Sequence, residues 1–392
     1  MKPRVLIICN ALDDVTRQQR GITTDSPAAS RKIFMLCQAL RLAGVSPYIV
    51  SLGRGRAGGS MAFFPRVIRR VQGVPVFYAP FSRIPYLSEL ISLLAPLRII
   101  FRLRRQDLKA VVFYNRMIAY LPALLAASVL GYRNVLDLED GEVPASGQKR
   151  AGVVAGLVPR IFDRFCGAGA LLACKALAEY TTARPVLCYY GTAVGEPLSI
   201  KLQSECVTVL MGGTLCFDTG AELLITALRQ LRRAAPPWAE KLCFEITGKG
   251  PSLEGLTALA AESGAPKVLV HGRTTDLQYR EVLRRSDVGL ALKPNTGALA
   301  STTFPSKVIE FAAEGLLVLT TDISDVHQVL GSGALYLTQD EPQMLIDLLE
   351  SVVKDRATAR ERAQQGLLSV QTLCSPLPSG QIVANFIFGD LR

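Results

Sequence analysis

The chain is short of several things, and each shortage closes off a class of function. Among 392 residues it has one tryptophan, two histidines and 7% aromatic residues. Its nine cysteines include no Cys-x-x-Cys pair. That speaks against a zinc site or a disulfide framework and for reduced thiols; Cys9, Cys37, Cys188 and Cys243 sit in apolar runs as small hydrophobes. His271 and His327 have no second ligand at metal spacing, so no metal centre is expected. No apolar run supplies the roughly 20 residues that span a bilayer. Arg98 and Arg102 interrupt the run at 90–103, and Pro122 that at 117–130. Val5–Cys9 is too short for a secretory signal and reads as a first strand. Neither GxGxxG nor GxxxxGK[ST] follows a predicted strand, which disfavours a dinucleotide dehydrogenase or a P-loop enzyme. The expectation is a cytoplasmic protein, soluble or peripheral on the inner face of a membrane.

Positive charge is abundant and unevenly spread. The net +11 divides into +15 over residues 1–190, with 26 basic against 11 acidic side chains, and −4 over 191–392. Arg66, Arg69 and Arg70 cluster. On a helical reading, Arg98, Arg102 and Arg105 share a face beside Leu90, Leu94, Leu97 and Phe101. An anionic membrane surface is one partner for such a basic amphipathic stretch, and a solvated arginine face is the alternative. A nucleic-acid binder is the less favoured reading, since no nucleic-acid module is present and aromatics are few.

Short β-branched runs alternate with helical periodicities twice over. In the first half the predicted order is strand Val5–Cys9, a helix from Ser26-Pro27 to Gly44, strand Pro47–Leu52, strand Ala110–Tyr114, a buried helix Met117–Leu130 and strand Asn134–Leu138. In the second it is strand Val207–Met211, helix Thr219–Ala234, strands Leu242–Thr247, Lys267–Val270 and Val288–Leu292, helix Pro305–Glu314, strand Leu316–Thr320, and a last regular helix capped by Asp340. This pattern predicts an α/β chain of two doubly wound, parallel-sheet (Rossmann-like) domains facing a central cleft. The boundaries are 1–190, a hinge at 191–205, a second domain at 206–374 and a tail at 375–392 that returns to the first domain. Ligands of such sheets bind beyond the carboxyl ends of the strands.

Two constellations stand at those ends in the second half. Gly212-Gly213-Thr214, Gly248-Lys249-Gly250 and Gly272-Arg273 place glycines where a ligand can approach the backbone. Thr302-Thr303-Phe304-Pro305-Ser306-Lys307, with Glu310 one turn on, leads a polar loop into a helix. Lys307 and the helix amino-terminus suit a diphosphate, and Glu310 suits vicinal hydroxyls; an ordinary capped helix would read the same way. Trp238, after two prolines, reads as a packed loop anchor.

In this order the motifs of 207–345 resemble those of the retaining family-4 (group 1) glycosyltransferases of the GT-B fold. Those motifs include Gly220-Ala221-Glu222-Leu223-Leu224, Thr247-Gly248-Lys249-Gly250-Pro251, Val270-His271-Gly272-Arg273, Arg285-Ser286-Asp287 and Phe304-Pro305-Ser306-Lys307-Val308-Ile309-Glu310. The first half is similar more loosely, through Val5–Asn10 and Tyr114-Asn115-Arg116. The resemblance implies a nucleotide-sugar donor, a UDP- or GDP-sugar, held by Gly213, Thr214, Gly248, Lys249, Gly272, Arg273, Thr302, Thr303, Phe304, Ser306, Lys307 and Glu310. It implies transfer with retention to a saccharide or polyprenyl-linked acceptor, with no required cofactor. Lys307, Glu310, Asn115 and Asp140 are the candidate catalytic residues. Three departures stand out. Thr302 occupies the place of a first glutamate, residues 213–220 lack a cation, and Asn115 or Arg116 stands where the family often has a histidine. A catalytically inactive binding or accessory protein is therefore the alternative reading. Asp137-Leu138-Glu139-Asp140 also imitates the acidic motif of metal-dependent glycosyltransferases; its carboxylates would hold a divalent cation, orient an acceptor, or merely be solvated.

Overall fold

The computed structural model describes residues 2–58, 62–104, 108–139, 153–193, 201–296 and 298–389. It divides into two compact units, Met1–Thr192 together with Pro376–Arg392, and Ala193–Ser375. Of the predicted hinge, residues 194–200 lie outside the described residues, as do Arg105 and Asp140.

Unit 1 is built on an eight-stranded sheet of Arg4–Cys9 (β1), Ser46–Ser51 (β2), Val67–Val71 (β3), Val74–Tyr78 (β4), Leu108–Tyr114 (β5), Arg133–Leu138 (β6), Ala170–Leu172 (β7) and Val186–Cys188 (β8). Its order is β8-β7-β6-β5-β1-β2-β4-β3, parallel except for the β3–β4 hairpin at one edge. Helices cover both faces, so the central strands are apolar throughout: Val5 to Cys9 and Ala110 to Phe113 are completely buried. The helix Pro27–Leu42 begins as the sequence predicts. Ser26 caps it by accepting from the Ala29 N–H, and proline takes the first turn. The last helix, Pro376–Phe388, packs on it so closely that a Cβ on Gly380 would stand 2.0 Å from the Ala39 carbonyl oxygen.

Unit 2 holds six parallel strands: Val207–Thr214 (β9), Leu242–Lys249 (β10), Lys267–Gly272 (β11), Val288–Ala291 (β12), Leu317–Thr321 (β13) and Ala334–Leu337 (β14). The order β11-β10-β9-β12-β13-β14 reverses direction between β9 and β12. That reversal is the switch point at which doubly wound sheets take ligands. Helix Ala221–Ala234 buries Leu224, Ala227, Leu228 and Leu231 against the core, and Trp238 packs on the same cluster.

Several predicted elements are corrected. Strands β9 and β10 continue through their glycines, because Gly213 pairs with Gly248 and Thr214 with Lys249. The helix predicted from Pro305 starts at Lys307 and has seven residues, preceded by a short helix Ala298–Thr302. Asp340 does not cap Pro342–Lys354; Glu341 stands at the cap, and Asp340 accepts from the Asn295 N–H at 2.8 Å. Helix Arg356–Cys374 follows, its buried stripe made largely of Ala359, Ala363, Gly366 and Val370, too small a set to mark an amphipathic pattern. The stretch at 117–130 divides into a turn Ile118–Tyr120 and helix Leu121–Val129, with Ile118, Leu125 and Val129 exposed.

Candidate active site

The site in unit 2 starts with glycine. Gly248 has φ +136°, and a Cβ there would lie 1.8 Å from the Gly213 carbonyl oxygen. Only glycine lets the ends of β9 and β10 run this close. Gly213, at φ +117°, faces Lys307, whose Cε lies 3.6 Å from where a Cβ would stand. A third glycine, Gly289 on β12, makes room for Phe311: a Cβ there would meet the ring at 2.3 Å. Phe311 is completely buried, and through it helix Lys307–Ala313 sits down on the sheet.

That helix turns Val308, Ile309, Phe311 and Ala312 inward and leaves Lys307 and Glu310 on its partly open side. Lys307 Nζ lies 2.8 Å from Glu310 Oε2 and 2.7 Å from the Tyr279 hydroxyl, which donates to Glu310 Oε2 at 3.1 Å. The ammonium also stands 4.5 Å from the Tyr279 ring centroid, a favourable position over a π face. Tyr279 comes from helix Asp276–Arg285, one turn in from a capping box formed by Thr275 and Gln278. Its ring also abuts Gly212, where a Cβ would approach Cε2 to 3.2 Å. Lysine, glutamate and tyrosine thus form one hydrogen-bonded cluster beside the backbone of Gly212 and Gly213. The seven-residue helix contributes little dipole, so the positive charge here is that of Lys307.

Thr302, Thr303 and Phe304 are buried, whereas Ser306 is exposed. The Thr303 hydroxyl accepts from Lys293 Nζ at 2.9 Å, and Lys293 lies just past the end of β12. Beside Lys293 a cavity of about 240 Å³ opens, lined by Phe217, Leu223, Pro294 and Pro342 among others. Tyr279 and Lys293 belong to the candidate site by their hydrogen bonds and were not among the residues read from the sequence. Lys293-Pro294 at a strand end was a usable signal for the second; nothing local marks the first.

Gly272 ends the neighbouring strand β11, where it pairs with Thr247, and Arg273 follows it. Val270 pairs with Ile246, so His271 is the extra residue of a β-bulge. Its Nε2 meets Glu245 Oε2 at 2.5 Å, and Arg285 grips both Glu245 oxygens at 2.8 and 2.6 Å. Burial would raise the Glu245 carboxyl, but the hydrogen bonds from Arg285 and His271 outweigh it and hold it below its ordinary value. His327 stacks on Tyr336 at 4.8 Å. Both histidines have structural partners.

The strand ends of unit 1 are furnished differently. Asn115, at φ +60°, accepts the Glu139 N–H on its Oδ1 at 2.9 Å. Lys32 Nζ pairs with Glu139 and stands 3.6 Å from the completely buried Asp137. Burial pushes the Asp137 carboxyl up, and the Lys32 ammonium pulls it back. Arg116 is drawn aside, bound to Asp163 at 2.7 Å and to the Tyr180 carbonyl at 2.8 Å. The described residues hold no group of three or more histidine, cysteine or carboxylate side chains placed for a metal ion. Asn115 and Lys307 belong to different units, and Asp140 lies outside the described residues.

Residues 206–355 match the family model described as glycosyl transferases group 1. This region is a group 1 glycosyltransferase domain. Two curated relatives align over stretches of similar size. A phosphatidylinositol N-acetylglucosaminyltransferase subunit from Arabidopsis thaliana is 23% identical over 163 residues, 41% of this chain and 34% of that one. The gpi3 subunit of the enzyme of that name from Schizosaccharomyces pombe is 26% identical over 166 residues, 41% and 33%. The match thus spans about a third of the length of either relative. Among solved structures, the trehalose-6-phosphate synthase OtsA superposes with a TM-score of 0.70 at 11% identity, covering 99% of both chains. Anabaena HepE, in complex with UDP and glucose, gives 0.67 at 13%, covering 97% and 98%. A glycosyltransferase of Rickettsia africae gives 0.62 at 14%, covering 99% of each chain. At such identities the likeness is one of fold, and the fold is GT-B. The glycosyltransferase domain therefore carries the glycine pair, Tyr279, Lys307 and Glu310 within a single matched segment.

Proposed function

We propose that the protein transfers a sugar, with retention, from a nucleotide-sugar donor to a saccharide or lipid-linked acceptor. The observation that carries this reading is the Lys307–Glu310–Tyr279 cluster set against the glycine backbone at the switch point of the glycosyltransferase domain. Lys307 is a full positive charge held in place before substrate arrives. In transfer from a sugar diphosphate, negative charge builds on the departing phosphate oxygens, and a preorganised ammonium lowers that barrier. Glu310 accepts hydrogen bonds, which suits the vicinal hydroxyls of a ribose. Tyr279 holds both side chains, so their positions are set without ligand. Lys293, bonded to Thr303 in the segment that leads to Lys307, is a second cation for the diphosphate. The reading extends to a UDP- or GDP-sugar as donor, HepE having been solved with UDP. It also extends to surface polysaccharide or glycoconjugate as product, and to a peripheral place on the cytoplasmic face of a membrane.

A panel of UDP- and GDP-sugars in thermal-shift measurement tests the donor, because a ligand bound only by the folded state raises the midpoint. At least one sugar nucleotide stabilises the wild type; Glu310→Ala abolishes the shift, and Lys307→Met lowers turnover by about 10²–10³. No stabilisation by any member, with turnover unaffected by either substitution, would overturn the reading. A second reading, donor binding without transfer by an accessory subunit, draws on the subunit names of both curated relatives and on Thr302 in an acidic position. Binding with no transfer to any acceptor in a membrane extract selects it.

A further inference from the structure

Helix Pro85–Leu103 of unit 1 is folded with its larger apolar side chains outward. Positions 88, 92, 96 and 100 recur at intervals of four and form its buried face: Ser88, Ser92, Pro96 and Ile100. Three of the four are small or polar, and Ser92 satisfies itself by donating to the Ser88 carbonyl oxygen at 2.7 Å. The opposite face presents Tyr86, Leu90, Leu94 and Phe101, which are 89%, 52%, 52% and 53% exposed. An amphipathic surface helix normally has the reverse arrangement. Helix Leu121–Val129 and the turn before it pack against this one and leave Val129 and Ile118 exposed as well. Single exposed leucines are ordinary, but this many on two packed helices form a surface with a purpose.

From this we infer that the outward face of Pro85–Leu103 inserts into an anionic lipid surface. Charge selects the occupant. Arg98 and Arg102 lie exposed along the edge of the leucine stripe, with Arg104 just beyond it. The helix has one acid, Glu89, and Arg54 neutralises it at 2.9 Å; helix Leu121–Val129 has none. Among the described residues of these two helices Glu89 is the one carboxylate and Arg54 already holds it, so a second copy packed on the same face would bring arginines chiefly toward arginines. A bilayer of acidic lipids accepts both parts of the pattern at once. Acyl chains take the leucines, headgroup phosphates take the guanidinium groups, and tyrosine and phenylalanine sit at the boundary. No helix among the described residues is long and apolar enough to cross a membrane, so the contact is interfacial. The inference rests on the surface of unit 1 and is independent of the donor site.

The test is co-sedimentation of the full chain with vesicles of phosphatidylcholine, with and without phosphatidylglycerol, and without nucleotide. The wild type binds the anionic vesicles and far less of the neutral ones. Leu90→Asp/Leu94→Asp lowers the partition coefficient at least tenfold, as does Arg98→Ala/Arg102→Ala at low salt, each arginine contributing roughly fivefold. Both pairs are exposed, so circular dichroism matches the wild type, and the sugar-nucleotide thermal shift is unchanged. Equal partition of wild type and leucine variant overturns the inference. So does a dimer in sedimentation velocity that the leucine variant abolishes, which would assign the face to a second copy. A chain that binds vesicles but no sugar nucleotide leaves the inference standing and removes the transferase reading instead.

Discussion

The two units share an architecture and differ at the one place where doubly wound sheets do chemistry. In unit 2 the strand ends near the switch point are glycine, and the charged side chains stand beside them in a preset cluster. In unit 1 the corresponding ends are closed by side chains: Asn115 holds the Glu139 backbone, and Lys32 lies over Glu139 and the buried Asp137. Glycine backbone next to a fixed cation is what the proposed donor site in unit 2 rests on. In unit 1 the lysine is shared between carboxylates, a structural arrangement. The fold is common to both units, and glycine and charge placement are what separate their strand ends.

The strongest way to break this comparison is to fill the cradle. Gly248→Ala drives a methyl group into the Gly213 carbonyl and forces an alanine to φ +136°. Unit 2 should lose about 3 kcal/mol or more. Trp238, the chain's one tryptophan, packs on that unit's core, so its fluorescence during urea unfolding reports the loss directly. Gly131→Ala in unit 1, at φ +74° with no atom within 4 Å, costs only about 1 kcal/mol. Equal effects of the two substitutions would mean that the glycine pair is not a special close approach.

Next in size is Lys32→Met. It leaves Asp137 buried without its counter-charge, at a cost of about 1–3 kcal/mol near neutral pH. Adding Asp137→Asn should recover most of it. The pH dependence follows from the direction of the shift. Burial raises the folded carboxyl above its unfolded value, so the folded state binds the proton more tightly. Stability therefore increases as pH falls through the raised value and levels off below the ordinary aspartate value. Lys32→Met enlarges this gain on acidification, measurable as urea midpoints by circular dichroism. A variant whose midpoints follow the wild type at every pH would show Lys32 to be no counter-ion.

The smallest effect concerns the bulge. Glu245 is held below its ordinary value, so its contribution is present above the unfolded glutamate value and lost as pH falls through the folded one. Arg285 is half exposed, and solvent screens the pair to no more than about 1 kcal/mol in Arg285→Ala. The sharper readout is the Gly272–Arg273 loop. If His271 and Glu245 position it against a bound donor, Glu245→Gln changes the preference between UDP- and GDP-sugars more than it changes stability. An unchanged preference would leave the cluster a structural clip.

Much of this was legible in the chain. Repetition of strand and helix gave two doubly wound sheets, and Ser26-Pro27 and Gly44 marked a helix start and stop because capping is local. Gly213, Gly248, Lys307 and Glu310 were visible because glycine at a strand end and a charge pair at helical spacing need no distant partner. Tyr279 was not visible. Its role depends on Lys307, 28 positions away, and on the two helices being packed on the same sheet. The helix at 85–103 shows the same limit. Its sequence has leucines and arginines in one stripe and serines in another, and nothing local says which stripe will be buried.

The sequence by itself determined the fold class, the carboxyl-end location of the candidate site and the separation of charge between halves, since these follow from periodicity, backbone freedom and composition. Tertiary structure alone decided that Lys307, Glu310 and Tyr279 form one cluster, that Thr302 and Thr303 are buried, and that large apolar side chains face out of unit 1. Those outcomes depend on which surfaces pack together. Packing is a property of the whole chain, and no window of sequence contains it.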